Sequence, residues 1–193
     1  MSQKPIAAGK SSFSLLDPED LFRNLPLQKG SVVLDAACGV GNYALAMAER
    51  LGNEATIYGA DLWEEGIKEL TRAASNNRMD SVHPLLADLN RGLPLATSSV
   101  DLCLLATALH DLIQVQAQAG SLQEISRVLR PTGTLAVIEF QKIEPPPGPP
   151  LAIRLSPQEL QQELQPYGFA EYAFFQLEPY LYLSLQALEK ARP

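Results

Sequence analysis

Three aspartates and a pair of glycines are spaced in this chain as a ligand-binding set. Asp35 closes the apolar run Val32-Val33-Leu34, and Gly39-Val40-Gly41 then turns into the helix-like stretch Asn42 to Leu51. Asp61 ends the run Ala55 to Ala60, 20 residues after Gly41, and Asp88 ends Ser81 to Ala87. A strand, a glycine turn and a helix in that order build a nucleotide-sized site at the carboxyl end of a strand. As a bare pattern, Gly39-Val40-Gly41-Asn42-Tyr43-Ala44 satisfies G-x-G-x-x-G/A, and with Asp61 it points to NAD. Asp35 argues the other way. Its carboxylate would face the pyrophosphate, a repulsive contact in a partly dry cleft. The same carboxylate suits a cofactor without phosphate that carries an ammonium. Asp61 serves either kind, because both present ribose hydroxyls to a charged acceptor.

A second set lies further on. His110-Asp111 follows the apolar run Val100 to Thr107, and a histidine there could act as a general base near neutral pH. Glu139, near the end of Thr134 to Phe140, is a further candidate for facing a substrate. Each residue also has a plainer role. Gly39 and Gly41 make a tight turn in any case, and Asp61 could cap the helix beginning at Trp63. Asp88, before Asn90-Arg91-Gly92, makes a good turn. Trp63 could pack between helix and sheet, His83 sits beside Pro84 in a strand, and His110 could simply start a helix that shapes the pocket.

The elements that must position these residues can be read in order. Asp17-Pro18-Glu19-Asp20 opens a short helix that ends before Pro26. Strands are expected at Val32–Leu34, Ala55–Ala60, Ser81–Ala87, Val100–Thr107 and Thr134–Phe140. Pro84 marks the third as an edge strand. Helices are expected at Asn42–Leu51, stopped by Gly52, at Trp63–Asn76, and at Gly120–Arg130, stopped by Pro131. Residues 110–115 fit neither pattern. Glu144 to Pro150 reads as a stiff, extended connection. Ser156-Pro157-Gln158-Glu159 matches a capping box, and the helix it starts ends near Tyr167-Gly168. Ala170–Leu177 and Tyr180–Leu188 form a hairpin around Glu178-Pro179. Five β/α units and a hairpin make one α/β domain over 1–193, with residues 1–16 expected to be mobile and 144–154 a Pro-rich connection.

Bulk properties narrow the partners. A net charge of −7 and a pI near 4.8 disfavour a nucleic acid, whose binding needs Lys and Arg on phosphates. No apolar run reaches membrane-spanning length and the N-terminus lacks a signal core, so a cytoplasmic location is expected. Cys38 and Cys103 read as reduced, small apolar residues, with no metal site implied.

Taken together, V-L-D-A-A-C-G-V-G at 33–41, A-D at 60–61, A-D at 87–88, S-V-D-L-C-L-L-A-T at 99–107 and R-V-L-R-P-T-G-T-L at 127–135 resemble the successive motifs of the class I S-adenosylmethionine-dependent methyltransferases. The resemblance covers residues 31–140, and within that superfamily it is strongest to the small group similar to the ubiquinone/menaquinone biosynthesis methyltransferases. Ala37 stands where many members carry Gly. The resemblance implies a Rossmann-like three-layer sandwich. Its mostly parallel seven-stranded sheet has the order 3-2-1-4-5-7-6 with a C-terminal antiparallel hairpin. It also implies S-adenosylmethionine as cofactor. Asp35 and the backbone of Ala37, Gly39 and Gly41 would hold the methionine moiety, Asp61 the ribose hydroxyls, and Leu62 the adenine face. Asp88 and the backbone of Leu89 would meet the adenine edge, and Thr107 would lie below the sulfonium. His110 and Asp111 would act on the acceptor. That acceptor is expected to be a small molecule, the protein a monomer or homodimer, and the lid to come from residues 10–25, the loop after the fourth strand and 144–154. Methyl transfer needs positioning more than covalent help, so a missing catalytic cluster is no obstacle. A nicotinamide-dependent oxidoreductase and a non-catalytic S-adenosylmethionine-binding protein are the rival readings.

Overall fold

The structure is a computed structural model that describes residues 8–144, 147–177 and 179–189. Its strands are β1 (Val32–Ala36), β2 (Thr56–Asp61), β3 (Val82–Leu86), β4 (Val100–Ala106), β5 (Leu129–Phe140), β6 (Phe169–Leu177) and β7 (Leu181–Leu188). Its helices are α1 (Pro18–Asn24), α2 (Asn42–Leu51), α3 (Glu64–Asn76), α4 (Leu109–Gln114), α5 (Gln118–Val128) and α6 (Pro157–Leu164). The sheet runs β3-β2-β1-β4-β5-β7-β6, the order expected. β7 is antiparallel to both of its neighbours, and the other pairings are parallel.

The layers follow from side-chain alternation along each strand. Val33, Ile57, Leu102, Leu104 and Ile138 join a core formed with Leu21 and Phe22 of α1, Tyr43, Ala44 and Met47 of α2, and Leu70 of α3. Their chain neighbours Leu34, Cys103, Leu105 and Val137 join the opposite core with Leu109 of α4, Leu122 and Ile125 of α5, and Leu160 and Leu164 of α6. A strand buried on both faces is apolar along most of its length. That is why β1, β4 and β5 are largely apolar, with the buried Asp35 and Glu139 as exceptions that lie in the site. β3 is the edge strand, as Pro84 required.

The local signals at helix ends are realised. Asp17 accepts from the Glu19 N–H at 2.9 Å, and Ser156 and Glu159 form the reciprocal capping box. Gly52 (φ 66°) ends α2 and Gly168 (φ 81°) follows the last turn before β6.

Four expectations change. Residues 110–115 are helical as α4. The helix expected to run to Arg130 stops at Val128, because Pro131 disfavours helical backbone at the residue before it. The chain then enters β5 early, and the pairing with β4 jumps from Val100–Leu129 to Leu102–Thr134, so residues 130–133 bulge out with Arg130 paired to Asp101. In the Pro-rich segment, residues 145–146 lie outside the described residues. The stretches on either side bend around Arg154, which is 4% exposed and donates to the carbonyls of Gln141, Ile143, Pro147 and Pro149 at 2.9–3.0 Å. Finally, 1–16 was expected to be mobile. Residues 1–7 lie outside the described residues, but Ser12 and Leu16 are buried and Phe13–Leu15 form a 3-10 turn. Packing against Tyr43, invisible in a non-periodic sequence, orders that segment. In the hairpin turn, Glu178 lies outside the described residues.

Candidate active site

The sheet order reverses between β1 and β4, where the chain, having built β2 and β3 on one side, crosses to the other. Ligands of open α/β sheets bind in the crevice at such a point, outside the carboxyl ends of the strands. The candidate residues arrive at that crevice from several strands.

Asp35 lies within β1 rather than at its end and is 2% exposed. Its Oδ2 accepts from the Ala44 N–H in the first turn of α2, at 3.0 Å. Burial dominates its titration and outweighs that hydrogen bond, and with the nearby charge of Asp61 it pushes the carboxyl up to about 8. Directly after the strand, Ala37 (φ 57°), Gly39 (φ 57°) and Gly41 (φ 78°) all take left-handed backbone. Such backbone is cheap for glycine and costs alanine about 1–2 kcal/mol. At Gly39 an added Cβ would have open space around it, so the turn faces a gap.

Asp61 ends β2 and is 8% exposed. Its Oδ2 accepts from the Gly39 N–H at 2.8 Å and its Oδ1 from the Trp63 N–H at 2.7 Å. Burial raises its pKa, and the backbone N–H groups of Trp63, Gly39 and Leu62 work against that rise. The aspartate is therefore not the cap of α3, whose N-cap is Trp63 without a side-chain cap, but it ties the turn before that helix to the glycine turn. Each oxygen keeps a lone pair for a further donor. Leu62 beside it is 40% exposed, the apolar face of this end of the crevice.

Asp88 is half-buried and shapes its own turn, accepting from the Asn90 N–H at 2.9 Å and pairing with Arg91 at 3.4 Å. Leu89 points its side chain into the core, 5% exposed, so only its backbone is available to a ligand. Thr107, just past β4, has φ 49°, an uncommon conformation for a β-branched residue and one that concentrates at functional sites. Its hydroxyl meets that of Ser12 at 3.0 Å.

On the β5 side stands a group that the sequence only hinted at. His110 is 4% exposed and Glu139 fully buried. His110 Nδ1 lies 2.7 Å from Glu139 Oε2, its backbone N–H donates to Oε1 at 3.2 Å, and its Nε2 is 3.7 Å from Asp111 Oδ1. Burial works against the charged imidazole, but the hydrogen bond and charge of Glu139, with Asp111, outweigh it and also the opposing charge of Arg154. The imidazole therefore holds its proton above the ordinary histidine range. The ring is fixed edge-on to Phe140 at 6.3 Å.

The structure thus brings Asp35, Ala37, Gly39, Gly41, Asp61 and Thr107 to one crevice, joins His110 and Asp111 through Glu139, and leaves Asp88 engaged in its own turn. Sequence reasoning missed Gly66. A Cβ there would lie 2.7 Å from the Gly39 carbonyl oxygen, so α3 packs directly on the glycine turn. An isolated glycine inside a helical pattern was the available signal. Gly66→Ala is expected to destabilise the protein by about 1–3 kcal/mol through that backbone clash, against the roughly 1 kcal/mol that alanine gains in a helix. Urea unfolding checks the sign. A stabilised variant would show that the turn gives way freely.

Among the described residues no cluster of His, Cys, Asp or Glu could hold a metal ion, and no helix is long and apolar enough to cross a membrane.

A family model described as a methyltransferase domain matches residues 27–172. The chain is 29% identical over 121 residues to a demethylmenaquinone methyltransferase of Geobacillus kaustophilus, covering 63% of this chain and 50% of that protein. It is 35% identical over 122 residues to a ubiquinone/menaquinone biosynthesis C-methyltransferase of Syntrophotalea carbinolica, covering 62% and 48%. The chain therefore spans about half the length of the curated relatives it matches. In three dimensions it superposes on the crystal structure of a SAM dependent methyltransferase from Aquifex aeolicus with a TM-score of 0.83, at 26% identity and covering 93% of each chain.

Proposed function

The chain belongs to the class I S-adenosylmethionine-dependent methyltransferases, and from that premise we propose that it methylates a small, ring-bearing acceptor of the quinol or phenol kind. The acceptor class leans on the quinone-methylating relatives. The observation that carries the cofactor assignment is the pair of buried aspartates, Asp35 and Asp61, under and beside an open left-handed turn. A cation would stabilise the ionised form of both buried carboxyls, whereas a pyrophosphate would oppose it, so the pair favours a cationic cofactor.

The residues fit the cofactor. Asp35 would face its ammonium, and the backbone of Ala37, Gly39 and Gly41 would line its methionine moiety. The free lone pairs of Asp61 would accept from its two ribose hydroxyls, with Leu62 against the adenine. Asp88 and the Leu89 backbone would meet the adenine edge, and Thr107 would lie beneath the sulfur. The cofactor supplies an activated methyl group on a cationic sulfur. What remains for the protein is to hold the acceptor in line, keep water out and take up the proton the acceptor loses.

His110 would take that proton. Glu139 holds the ring by Nδ1, which leaves Nε2, 3.7 Å from Asp111 Oδ1, for the acceptor. A base needs its lone pair, so turnover is expected to rise with pH through a value above the ordinary histidine range. His110→Gln, which keeps a partner for Glu139, is expected to lower turnover more than tenfold and to remove that rise while leaving cofactor affinity within about twofold. Formation of S-adenosylhomocysteine across a panel of quinols and phenols, followed from pH 6 to 9, checks this. Equal activity in the variant would return His110 to shaping the pocket. Persistent failure to form S-adenosylhomocysteine with any acceptor, despite cofactor binding, would favour a binding protein over an enzyme. The net charge of −7 supports a nucleic-acid-independent reading.

A further inference from the structure

Residues 8–16 lie across the crevice. At one end, a Cβ on Gly9 would sit 3.6 Å from Cη2 of Trp63, at the exit of β2. Three residues on, Ser12 is 4% exposed, with its Oγ 2.8 Å from the Tyr43 hydroxyl in the first turn of α2 and 3.0 Å from the Thr107 hydroxyl beyond β4. Phe13 stands edge-on to the Tyr43 ring at 5.0 Å, and Leu16 is buried in the core. The segment therefore reaches from the exit of β2 to the first turn of α2 and the exit of β4, on both sides of the cleft assigned to the cofactor.

It spans that cleft without filling it, since the ideal Cβ position on Gly39 has nothing within 4 Å. One hydroxyl bridging two others is the polar anchor of a segment whose only periodic structure is the 3-10 turn Phe13–Leu15. Ser12 can donate to only one of its partners, so the other must donate to it, and replacing any one of the three hydroxyls breaks at least one link. Lids of this kind commonly set the rate at which ligands leave.

We infer that residues 8–16 are a strap over the cofactor cleft, and that Ser12 is its latch, a positioning residue fastened to Tyr43 and Thr107. This rests on the cofactor reading above. The latch joins groups of the protein alone, so it holds whether the cleft is filled or not. Weakening it must let the strap open more often in both states. Entry and exit of the cofactor then accelerate together, while equilibrium affinity changes little.

The test uses S-adenosylhomocysteine as probe and the fluorescence of Trp63, the single tryptophan, in stopped flow. Ser12→Ala is expected to raise both association and dissociation rates about tenfold, the scale of one or two lost hydrogen bonds, with Kd within about threefold. Tyr43→Phe, which keeps the ring against Phe13 and deletes one link, is expected to move both rates in the same direction and decides the matter if Ser12→Ala does not fold. Unchanged rates overturn the latch. So does faster dissociation alone, which would make Ser12 a direct ligand contact, and so does tighter binding, which would make the strap a competitor. If the wild type fails to bind S-adenosylhomocysteine at all, the cofactor reading falls and takes the strap with it. If the wild type binds but the variants match it, only the strap falls.

Discussion

Asp61→Ala is expected to weaken S-adenosylhomocysteine binding about a hundredfold, as measured by titration calorimetry. Two contributions add. Hydrogen bonds to a charged acceptor are each worth roughly 1.5–3 kcal/mol, and about 2.7 kcal/mol is a hundredfold in affinity. The ribose hydroxyls lose that acceptor outright. The Gly39 and Trp63 N–H groups lose theirs as well, at 2.8 and 2.7 Å, so the glycine turn is no longer tied to the start of α3. Asp61→Asn retains one acceptor oxygen and should fall between the two. Unchanged affinity in Asp61→Ala would place the cofactor somewhere else on the molecule.

Cofactor affinity is expected to climb steeply as pH rises toward 8. Burial pushes the Asp35 carboxyl up to about 8, so below that pH the protein must release a proton before the group can meet an ammonium. Linkage then costs about tenfold in affinity for each pH unit below 8, down to the pKa of the bound state. Above 8 the cofactor's own amino group loses its charge, its ordinary range being about 7.7–8.0, so the profile peaks near pH 8. The stability of the protein alone should move oppositely. A carboxyl raised in the folded state contributes most below the unfolded value near 4, and that contribution is lost as pH rises toward 8, because the unfolded chain ionises first. The expected signature is a protein whose thermal midpoint declines from pH 5 to 8 without cofactor and recovers with it. A flat affinity profile from pH 6 to 8 would mean that Asp35 does not meet the ammonium.

Much of the fold was legible because its signals are local. Asn42–Leu51 came out to the residue, since an apolar stripe, a preceding glycine turn and Gly52 each mark the same boundaries. The strand order followed from the resemblance, and burial on both faces explains the largely apolar runs of β1 and β4. The departures involve long-range partners. Ser12 is ordered by Tyr43 and Thr107, 31 and 95 residues away. Glu139 looked like a weak candidate in a strand until α4 brought His110 onto it, 29 residues distant in the chain. Asp35 was expected to reach the ammonium through water, and it also anchors Ala44. Neither periodicity nor spacing carries such information, because an acid in an apolar strand reads the same whether its partner is a ligand or the next helix.

Arg154 has one more implication. Its guanidinium charge is met by four main-chain carbonyls and the face of Phe140, whose centroid is 5.6 Å away. Gly148 (φ 112°) fits beneath only because a Cβ would lie 2.6 Å from the Phe140 ring. The described part of the loop is thus held by Arg154, Phe140 and Gly148, with Gln141 donating to the Leu181 carbonyl and Lys142 paired to Glu159. Ile143 and Leu151 are among the exposed large apolar residues. Such a scaffold is permissive to drift. Substitutions at the exposed Ile143 or Leu151 are therefore expected to leave the architecture of the loop undisturbed, which makes these positions convenient for randomisation in the laboratory.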